Sequence, residues 1–341
     1  MPLNNLTKSG FKLGRGWRLV DNAFNGESLL IRKVDPVRWY IAKNGKILTL
    51  STPPPKLAGA GSIVDHERHR LIYLREEGIA SCDFSEKKET VLIPLDTNLF
   101  RARMLCLDSK EDILYYIRQK YSPTWKILLA SLKKKKAIGM EIKGSLLAYS
   151  FKTGVTRVIV DFDDSLIGSV ADIRSGVFYA NSKQEILIID LHSGRILKRI
   201  SSPNLGEICL APDNKVLVWG LYSSSAYQLN PRGVKKVAIF EGLSTSFSNN
   251  GKRRSFWKRN MEFHVAGARG KSECALISTH MFSDDVSRFQ PALWCPCNKH
   301  FALPLYIKVP PNGCYTALCI FNVEAKTATF YPSPVLDFKW L

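Results

Sequence analysis

The densest group of potentially reactive side chains in the sequence is Cys295-Pro296-Cys297-Asn298-Lys299-His300. Thiolates and imidazoles are preferred zinc ligands, and Cys314 or Cys319 could supply a further one. The Cys-x-Cys pair is tighter than the usual structural spacing, and the segment has the composition of a turn. The segment therefore predicts a turn with an exposed pair of thiols. Its two cysteines and its histidine form a candidate metal site, and no other cofactor is predicted.

Two clusters of basic residues are candidates for binding a polyanion or an acidic partner. Single-stranded nucleic acid suits such clusters where aromatic rings stack on bases beside the cations. Against this, alternation along a strand favours Trp257 in the core, and a lysine run is typical of a solvated hairpin tip. The clusters are Lys133, Lys134, Lys135 and Lys136, and then Lys252, Arg253, Arg254, Lys258 and Arg259 with Phe256 and Trp257 among them.

Recognised catalytic motifs are missing from the sequence. There is no Gly-x-Ser-x-Gly elbow, Walker loop or dinucleotide-binding turn. His66 and His69 flank a predicted turn, so they lack the helical spacing of a metallopeptidase motif. The sequence favours a protein that is not an enzyme. It leaves the question open, because an active site can be assembled from distant segments.

The elements that would position these groups are short β-strands joined by polar turns. The clearest example is GEICLAPDNKVLVWGLY, residues 206–222, in which Pro212 is expected to preset φ and Asp213 to bond back to its own backbone. Most copies lie roughly 30–50 residues apart, which is the period of propeller blades. Seven copies can be aligned, at residues 30–42, 63–75, 104–118, 170–182, 208–220, 245–258 and 292–305.

The phrase APDNKVLVWG resembles the turn and following strand of WD40-like propeller repeats, including the type found in the TolB propeller. SNNGKRRSFW and CPCNKHFALP are looser versions of the same phrase. The resemblance covers roughly residues 28–335 and implies an architecture rather than one family. No copy carries the Trp-Asp dipeptide or the Gly-His signature of WD40 repeats. Propellers of this kind are mostly binding scaffolds, and a minority are enzymes.

We therefore predict an all-β protein with one propeller domain, residues 28–341, of seven blades in a ring closed by a terminal strand. Residues 1–27 are predicted to be an N-terminal arm or the closing strand, and the tail at 335–341 could close the ring equally well. The segment 101–160 is longer than one blade requires. We expect one blade with an insertion within residues 118–150, and an additional irregular blade is the alternative.

Charge is the most distinctive feature of the composition. The chain has 49 Lys and Arg against 30 Asp and Glu, a formal net charge of +19. No run of 18 apolar residues predicts a membrane span, and the first residues lack the apolar core of a secretory signal. Most of the eight cysteines lie in apolar strand segments. We therefore expect reduced cysteines and a cytoplasmic protein.

These observations lead to three hypotheses about function. The first is a non-catalytic scaffold that binds an acidic protein surface, as an adaptor, assembly factor or inhibitor would. The second is an enzyme or small-molecule binder that uses the central channel. The third is a nucleic-acid-binding protein that uses the basic loops, and whose affinity would fall steeply with salt. The sequence leaves the oligomeric state open.

Overall fold

The structure is a computed structural model that describes the chain in segments. They are residues 10–21, 28–34, 37–43, 46–49, 62–65, 67–75, 77–83, 89–95, 100–120, 144–162, 166, 168–182, 185–201, 205–210, 216–220, 225–230, 233–239, 243–258, 260–267, 272–278, 291–309, 313–331 and 335–340.

The regular structure in these segments consists of strands, numbered β1 to β30 in chain order. Two short strands come first, β1 (Phe11–Leu13) and β2 (Arg18–Leu19). The later strands form seven sheets, numbered here in chain order, in which consecutive strands pair antiparallel. Sheet 1 contains β3 (Ser28–Val34), β4 (Val37–Lys43) and β5 (Lys46–Thr49), and sheet 2 contains β6 (Ser62–Asp65), β7 (Arg70–Arg75), β8 (Gly78–Asp83) and β9 (Glu89–Pro94).

The next three sheets have four strands each. Sheet 3 contains β10 (Phe100–Asp108), β11 (Ile113–Lys120), β12 (Gly144–Ser150) and β13 (Thr156–Phe162). Sheet 4 contains β14 (Gly168–Asp172), β15 (Val177–Asn181), β16 (Glu185–Asp190) and β17 (Ile196–Ser201). Sheet 5 contains β18 (Leu205–Leu210), β19 (Val216–Gly220), β20 (Ser225–Asn230) and β21 (Gly233–Ile239).

The last two sheets precede the C-terminal strand. Sheet 6 contains β22 (Leu243–Phe247), β23 (Arg253–Trp257), β24 (Glu262–Gly267) and β25 (Ser272–Ser278). Sheet 7 contains β26 (Leu293–Trp294), β27 (His300–Val309), β28 (Gly313–Asn322) and β29 (Thr327–Tyr331). The final strand, β30 (Val335–Trp340), pairs antiparallel with β3 and makes sheet 1 four-stranded.

The two ends of the chain take different places in this arrangement. Strand β30 is the first strand of sheet 1 and also lies against β28 of sheet 7 and β6 of sheet 2. Strand β1 adds a fifth, antiparallel strand to the outer edge of sheet 6, and β2 adds a fifth, parallel strand to sheet 7. Both N-terminal strands cover sheet edges that would otherwise offer unpaired backbone groups.

The sheets pack around their first strands. Contacts join β6 to β10, β10 to β14, β14 to β18, and β22 to β26. Four-stranded meanders packed in this way are the architecture of a β-propeller, so the prediction of an all-β propeller fold is confirmed. Within the part of the chain that the structure describes, no helix is long and apolar enough to cross a membrane.

The core lies between the faces of neighbouring sheets, where every second side chain of a strand is buried. Between sheets 6 and 7, Phe263, Phe301 and Phe321 are fully buried, and the last two rings stack with centroids 4.7 Å apart. Each such side chain contributes about 1.5–3 kcal/mol on burial. Strands β11 and β12 pair within sheet 3, while residues 121–143 between them lie outside the described segments.

Candidate functional site

One edge of the sheets carries most of the described polar turns. In a meander sheet the turn between the first and second strands lies at the same edge as the turn between the third and fourth. Contacts between sheets link these turns: Arg68 Nη1 donates to the carbonyl of Ser109 (3.2 Å), and Arg157 Nη1 to that of His192 (2.9 Å). We call this edge the turn face. It is defined by its exposed cations, Lys110, Lys152, Arg174, Arg195, Lys252, Lys299 and Lys326.

Several carboxylates of the turn face are directed at backbone N–H groups. Asp108 Oδ1 accepts hydrogen bonds from the N–H groups of residues 110 and 111, and Asp172 Oδ1 from those of residues 174 and 175. The backbone N–H of Ser193 is the main cause that holds the pKa of Asp190 below its usual value. These carboxylates fix the turns. Among the described residues, seven exposed cations of the turn face stand against three exposed acids, Glu67, Glu111 and Glu324.

A buried ionic network joins two sheets below this face. Arg70 donates from Nε to Asp65 Oδ2 and from Nη2 to Asp112 Oδ1, both at 2.8 Å. The guanidinium also lies over the ring of Phe151, 3.7 Å from its centroid. The Asp65 side chain is fully buried. The network is built into the packing between sheets 2 and 3, so its carboxylates are structural groups.

The second basic cluster is divided between surface and core. Lys252 is exposed and Lys258 is half-buried. Arg253 lies between sheets, where its Nη1 donates to the carbonyl of Asn298 (3.2 Å) and its Nη2 lies 3.8 Å from Glu324 Oε1. Trp257 is 2% exposed and belongs to the core between sheets 6 and 7, so its ring is not at the surface.

Arg254 is a half-buried cation of this cluster. Its guanidinium carbon lies 5.0 Å from the centre of the Phe256 ring, and burial lowers the pKa of the group. Arg259 and the four lysines at 133–136 lie outside the described residues. Of the predicted binding patch, the structure thus places Lys252 on the turn face.

The predicted thiol turn is present at the start of sheet 7. The carbonyl of Cys295 accepts the N–H of Asn298 (2.9 Å), with Pro296 second in the turn. One ring nitrogen of His300 and the two sulfur atoms all lie within 4.8 Å of one another. The expectation of an exposed thiol pair is wrong for Cys295, which is 0% exposed because it packs in the core between sheets 7 and 1. Cys297 is half-buried.

Asn322 orients the imidazole of this turn. Its Oδ1 accepts the N–H groups of Glu324 (3.1 Å) and Ala325 (2.9 Å), so its Nδ2 is the atom that faces His300 Nε2 at 3.0 Å. Nδ2 can only donate, so Nε2 accepts and the imidazole proton lies on Nδ1. Nδ1 then donates to Cys297 Sγ at 3.3 Å. A metal bound at Nδ1 would displace this proton to Nε2, where it would meet the Asn322 donor.

Sequence reasoning missed a second cluster, on sheet 6. Glu262, His264 and Cys274 place one ligand atom each within 4.8 Å of the others. His264 Nε2 lies 2.8 Å from Glu262 Oε2, and the ring stacks on Phe256. The pairing of His264 with Cys274 follows a bulge in the ladder. The alternation of Glu262 and His264 was visible in the sequence, but the register that adds Cys274 was not.

A shallow pocket lies between sheets 3 and 4, away from the turn face. Its polar lining includes Asp161, Glu185 and Arg199. Arg199 Nη1 lies 2.6 Å from Glu185 Oε1, and Asp161 Oδ1 accepts the hydroxyl of Ser145 (2.6 Å). These charged groups are engaged with each other or with the sheet.

Comparisons with known proteins give information about the fold only. The chain matches no protein-family model. No curated protein aligns with it either. Among solved structures it is similar to an oligogalacturonate lyase in complex with manganese, with TM-score 0.61 and 13% identity over 87% of this chain and 88% of the other. It is also similar to an oligogalacturonate lyase from Vibrio parahaemolyticus, with TM-score 0.60 and 13% identity over 88% of this chain and 89% of the other.

A chain of a mitotic checkpoint complex is also similar, with TM-score 0.50 and 10% identity over 82% of this chain and 81% of that one. At these identities the likeness concerns architecture and not the site residues. The architecture-level resemblance to propeller repeats is thereby confirmed, without membership of a particular family.

Proposed function

We propose that this protein is a non-catalytic propeller scaffold whose turn face binds an acidic protein surface. The observation that carries the proposal is the distribution of charge on that face. Sheets 3, 4, 6 and 7 all contribute exposed cations to it, while Asp108, Asp172 and Asp190 are engaged by backbone N–H groups. The likeness to a chain of a mitotic checkpoint complex is in keeping with a protein-binding role.

We further propose that each of the seven sheets is one blade and that β30 closes the ring. Strand β30 belongs to the same sheet as β3 and contacts both sheet 7 and sheet 2, which is the position of a closing strand. A closed ring would hold the seven cations of the turn face at fixed separations. Rigid presentation lowers the entropy lost on binding, so charge complementarity is converted more fully into affinity.

Charge reversal on the turn face tests this function. The double variant Arg174→Glu/Arg195→Glu should weaken binding of a poly-glutamate peptide, followed by fluorescence anisotropy, by about tenfold or more at low salt. The matched control Lys12→Glu/Lys120→Glu makes the same change in net charge at exposed positions away from that face. Equal weakening by both variants would mean that only the net charge matters, and the proposed face would be rejected.

The same titration with a single-stranded oligonucleotide separates the protein-binding from the nucleic-acid hypothesis. Binding to nucleic acid through several phosphates gives a steep linear fall of log affinity with log salt. If the oligonucleotide binds more tightly than poly-glutamate and the turn-face variant abolishes that binding, the third hypothesis replaces the first.

A second candidate function is an enzyme or binder of acidic oligosaccharides in the central channel. Its support is the likeness to two oligogalacturonate lyases over nearly the whole chain. Incubation with oligogalacturonate, with and without Mn²⁺, would release products with a new carbon–carbon double bond and a rise in ultraviolet absorbance. If the absorbance rises neither with nor without Mn²⁺, the lyase activity is ruled out, and the scaffold proposal is unaffected.

A further inference from the structure

Cys297 lies where a thiol can react with a molecule from solution. It is half-buried, whereas Cys295 and His300 beside it are buried. Its Sγ faces two N–H donors, His300 Nδ1 at 3.3 Å and the backbone of Lys299 at 3.4 Å. The sulfur atom is thus held by two hydrogen bonds at a position that is partly open to solvent.

The imidazole is held in the orientation that this contact requires. Asn322 Nδ2 donates to His300 Nε2. The orientation of the Asn322 amide is fixed because its Oδ1 accepts hydrogen bonds from the backbone N–H groups of Glu324 and Ala325. The proton therefore stays on Nδ1, against Cys297 Sγ. His300 and Asn322 are partners in the ladder between β27 and β28, so the geometry is set by strand register.

Other described cysteines lie in environments that oppose the thiolate. Burial, and then Asp108, raises the pKa of Cys106 to about 12. Burial, and then Glu262, raises the pKa of Cys274 to about 11. Burial also raises the pKa of Cys82 and of Cys319. Each of these four is disfavoured as a nucleophile by desolvation or by a neighbouring carboxylate.

A second thiol is available next to Cys297. Cys295 Sγ lies within 4.8 Å of Cys297 Sγ and accepts the N–H of Cys297 at 3.4 Å. The two residues are held in one tight turn whose ends are close together, because the N–H of Cys295 donates to the carbonyl of His300 (2.9 Å). A disulfide needs two α-carbons about 4.4–6.8 Å apart, which residues separated by one position in a turn can satisfy.

We propose that Cys297 is an oxidation site for hydroperoxides and that Cys295 resolves it as a disulfide. In the first step the Cys297 sulfur, as thiolate, attacks one oxygen of the hydroperoxide and the O–O bond breaks. The sulfur becomes a sulfenic acid, and the departing alkoxide or hydroxide takes a proton from solvent to become an alcohol or water. In the second step the Cys295 thiol attacks the sulfenic sulfur. An S–S bond forms, the S–O bond breaks, and the hydroxyl leaves as water with the thiol proton.

Mass spectrometry of the intact chain after brief treatment with hydrogen peroxide tests the chemistry. The peptide that contains Cys295 and Cys297 should lose two hydrogen atoms and regain them with dithiothreitol. In the variant Cys295→Ser, Cys297 should instead accumulate as a sulfenic acid that dimedone traps. The peptide with Cys106 should remain unmodified over the same period. If Cys297 reacts no faster than Cys106, or if no disulfide forms, the proposal is overturned.

The role of His300 is tested by the rate of reaction. His300→Leu removes the donor at similar bulk and should slow the oxidation of Cys297 by about tenfold, because a hydrogen bond to the reacting sulfur atom is lost. A thermal melt checks that the variant is folded; if it is not, the comparison of Cys297 with Cys106 in the unsubstituted chain decides. Stoichiometric zinc that protects Cys297 from alkylation in the purified protein would overturn the proposal in favour of a metal site.

Discussion

Arg70 of sheet 2 donates to Asp112 of sheet 3 across 42 residues of sequence, with Nη2 and Oδ1 2.8 Å apart. The two side chains are 14% and 13% exposed, so the pair is largely removed from solvent. Arg70 also donates to Asp65, which is fully buried. Arg68 Nη1 lies 3.5 Å from an oxygen of each carboxylate, so two guanidinium groups share two carboxylates. The contact ties two consecutive sheets together beneath the turn face.

Asp112→Asn tests the strength of that tie. Asp112 has φ of 59°, a conformation that Asn also adopts readily, so the substitution removes the charge without adding backbone strain. Breaking a buried ion pair on one side typically costs about 3–5 kcal/mol, and we expect a loss at the lower end because Asp65 still pairs with Arg70. The free energy of unfolding, from denaturant titration, measures it. The exposed neighbour Glu111→Gln should change stability by less than about 0.5 kcal/mol.

Gly194 tests the close approach of two sheets. Its φ is 73°, and an added Cβ would lie 2.1 Å from the carbonyl oxygen of Ile159 on the neighbouring sheet. Gly154 occupies the corresponding turn of sheet 3 with φ of 68°, and its Cβ would meet nothing within 4 Å. Gly154→Ala should therefore cost only the conformational strain, about 1–2 kcal/mol.

Gly194→Ala should cost that strain and the displacement of a neighbouring backbone, about 1–3 kcal/mol more. Thermal or urea unfolding of both variants gives the difference. Equal losses would mean that the sheets separate easily at this point, against the tight packing found between sheets 3 and 4.

The sequence predicted the repeating strands well because each hairpin carries its own local signal. Pro296 and Asn298 predicted a turn, and the structure has one there. The alternation around Trp257 favoured its burial in the core, where the structure places it. The partners of Arg253 could not be predicted in the same way. Its contact with Asn298 joins residues 45 positions apart and depends on how two sheets pack.

The same distinction between local sequence signals and contacts made by strand pairing applies to the candidate sites. The thiol turn was visible because its three reactive residues, Cys295, Cys297 and His300, lie within six consecutive positions of the chain. The orientation of His300 was not visible, because Asn322 reaches it through strand pairing 22 residues later. Cys274 comes beside His264 only through a register shift in the ladder, which no local pattern in the sequence indicates.

Trp257 and Lys252 together test whether the second basic cluster is a surface or a core feature. Trp257→Ala should lower the free energy of unfolding by about 3–5 kcal/mol, because a 2%-exposed ring is lost from the packing between sheets 6 and 7. Lys252→Ala should cost less than about 0.5 kcal/mol. Urea unfolding of each variant decides, and a small effect of Trp257→Ala would contradict its place in the core.

Glu262 should make the stability of sheet 6 depend on pH. The hydrogen bond from His264, followed by one from Asn260, lowers the pKa of Glu262 from its ordinary value of 4.5. A lowered carboxyl pKa means that the folded state favours the anion, so the stabilisation is fully present above about pH 4.5 and is lost as pH falls through the lower folded value. Glu262→Gln should therefore destabilise the protein at pH 7. The gap between the two proteins, which is the difference between their free energies of unfolding, should narrow as the pH falls below 4.5. Urea unfolding of both proteins in steps of pH measures the gap, and His264→Gln, which removes the main donor, should flatten its pH dependence. A gap that stays constant down to acid unfolding would mean that the Glu262–His264 contact does not contribute through the charge on the carboxylate.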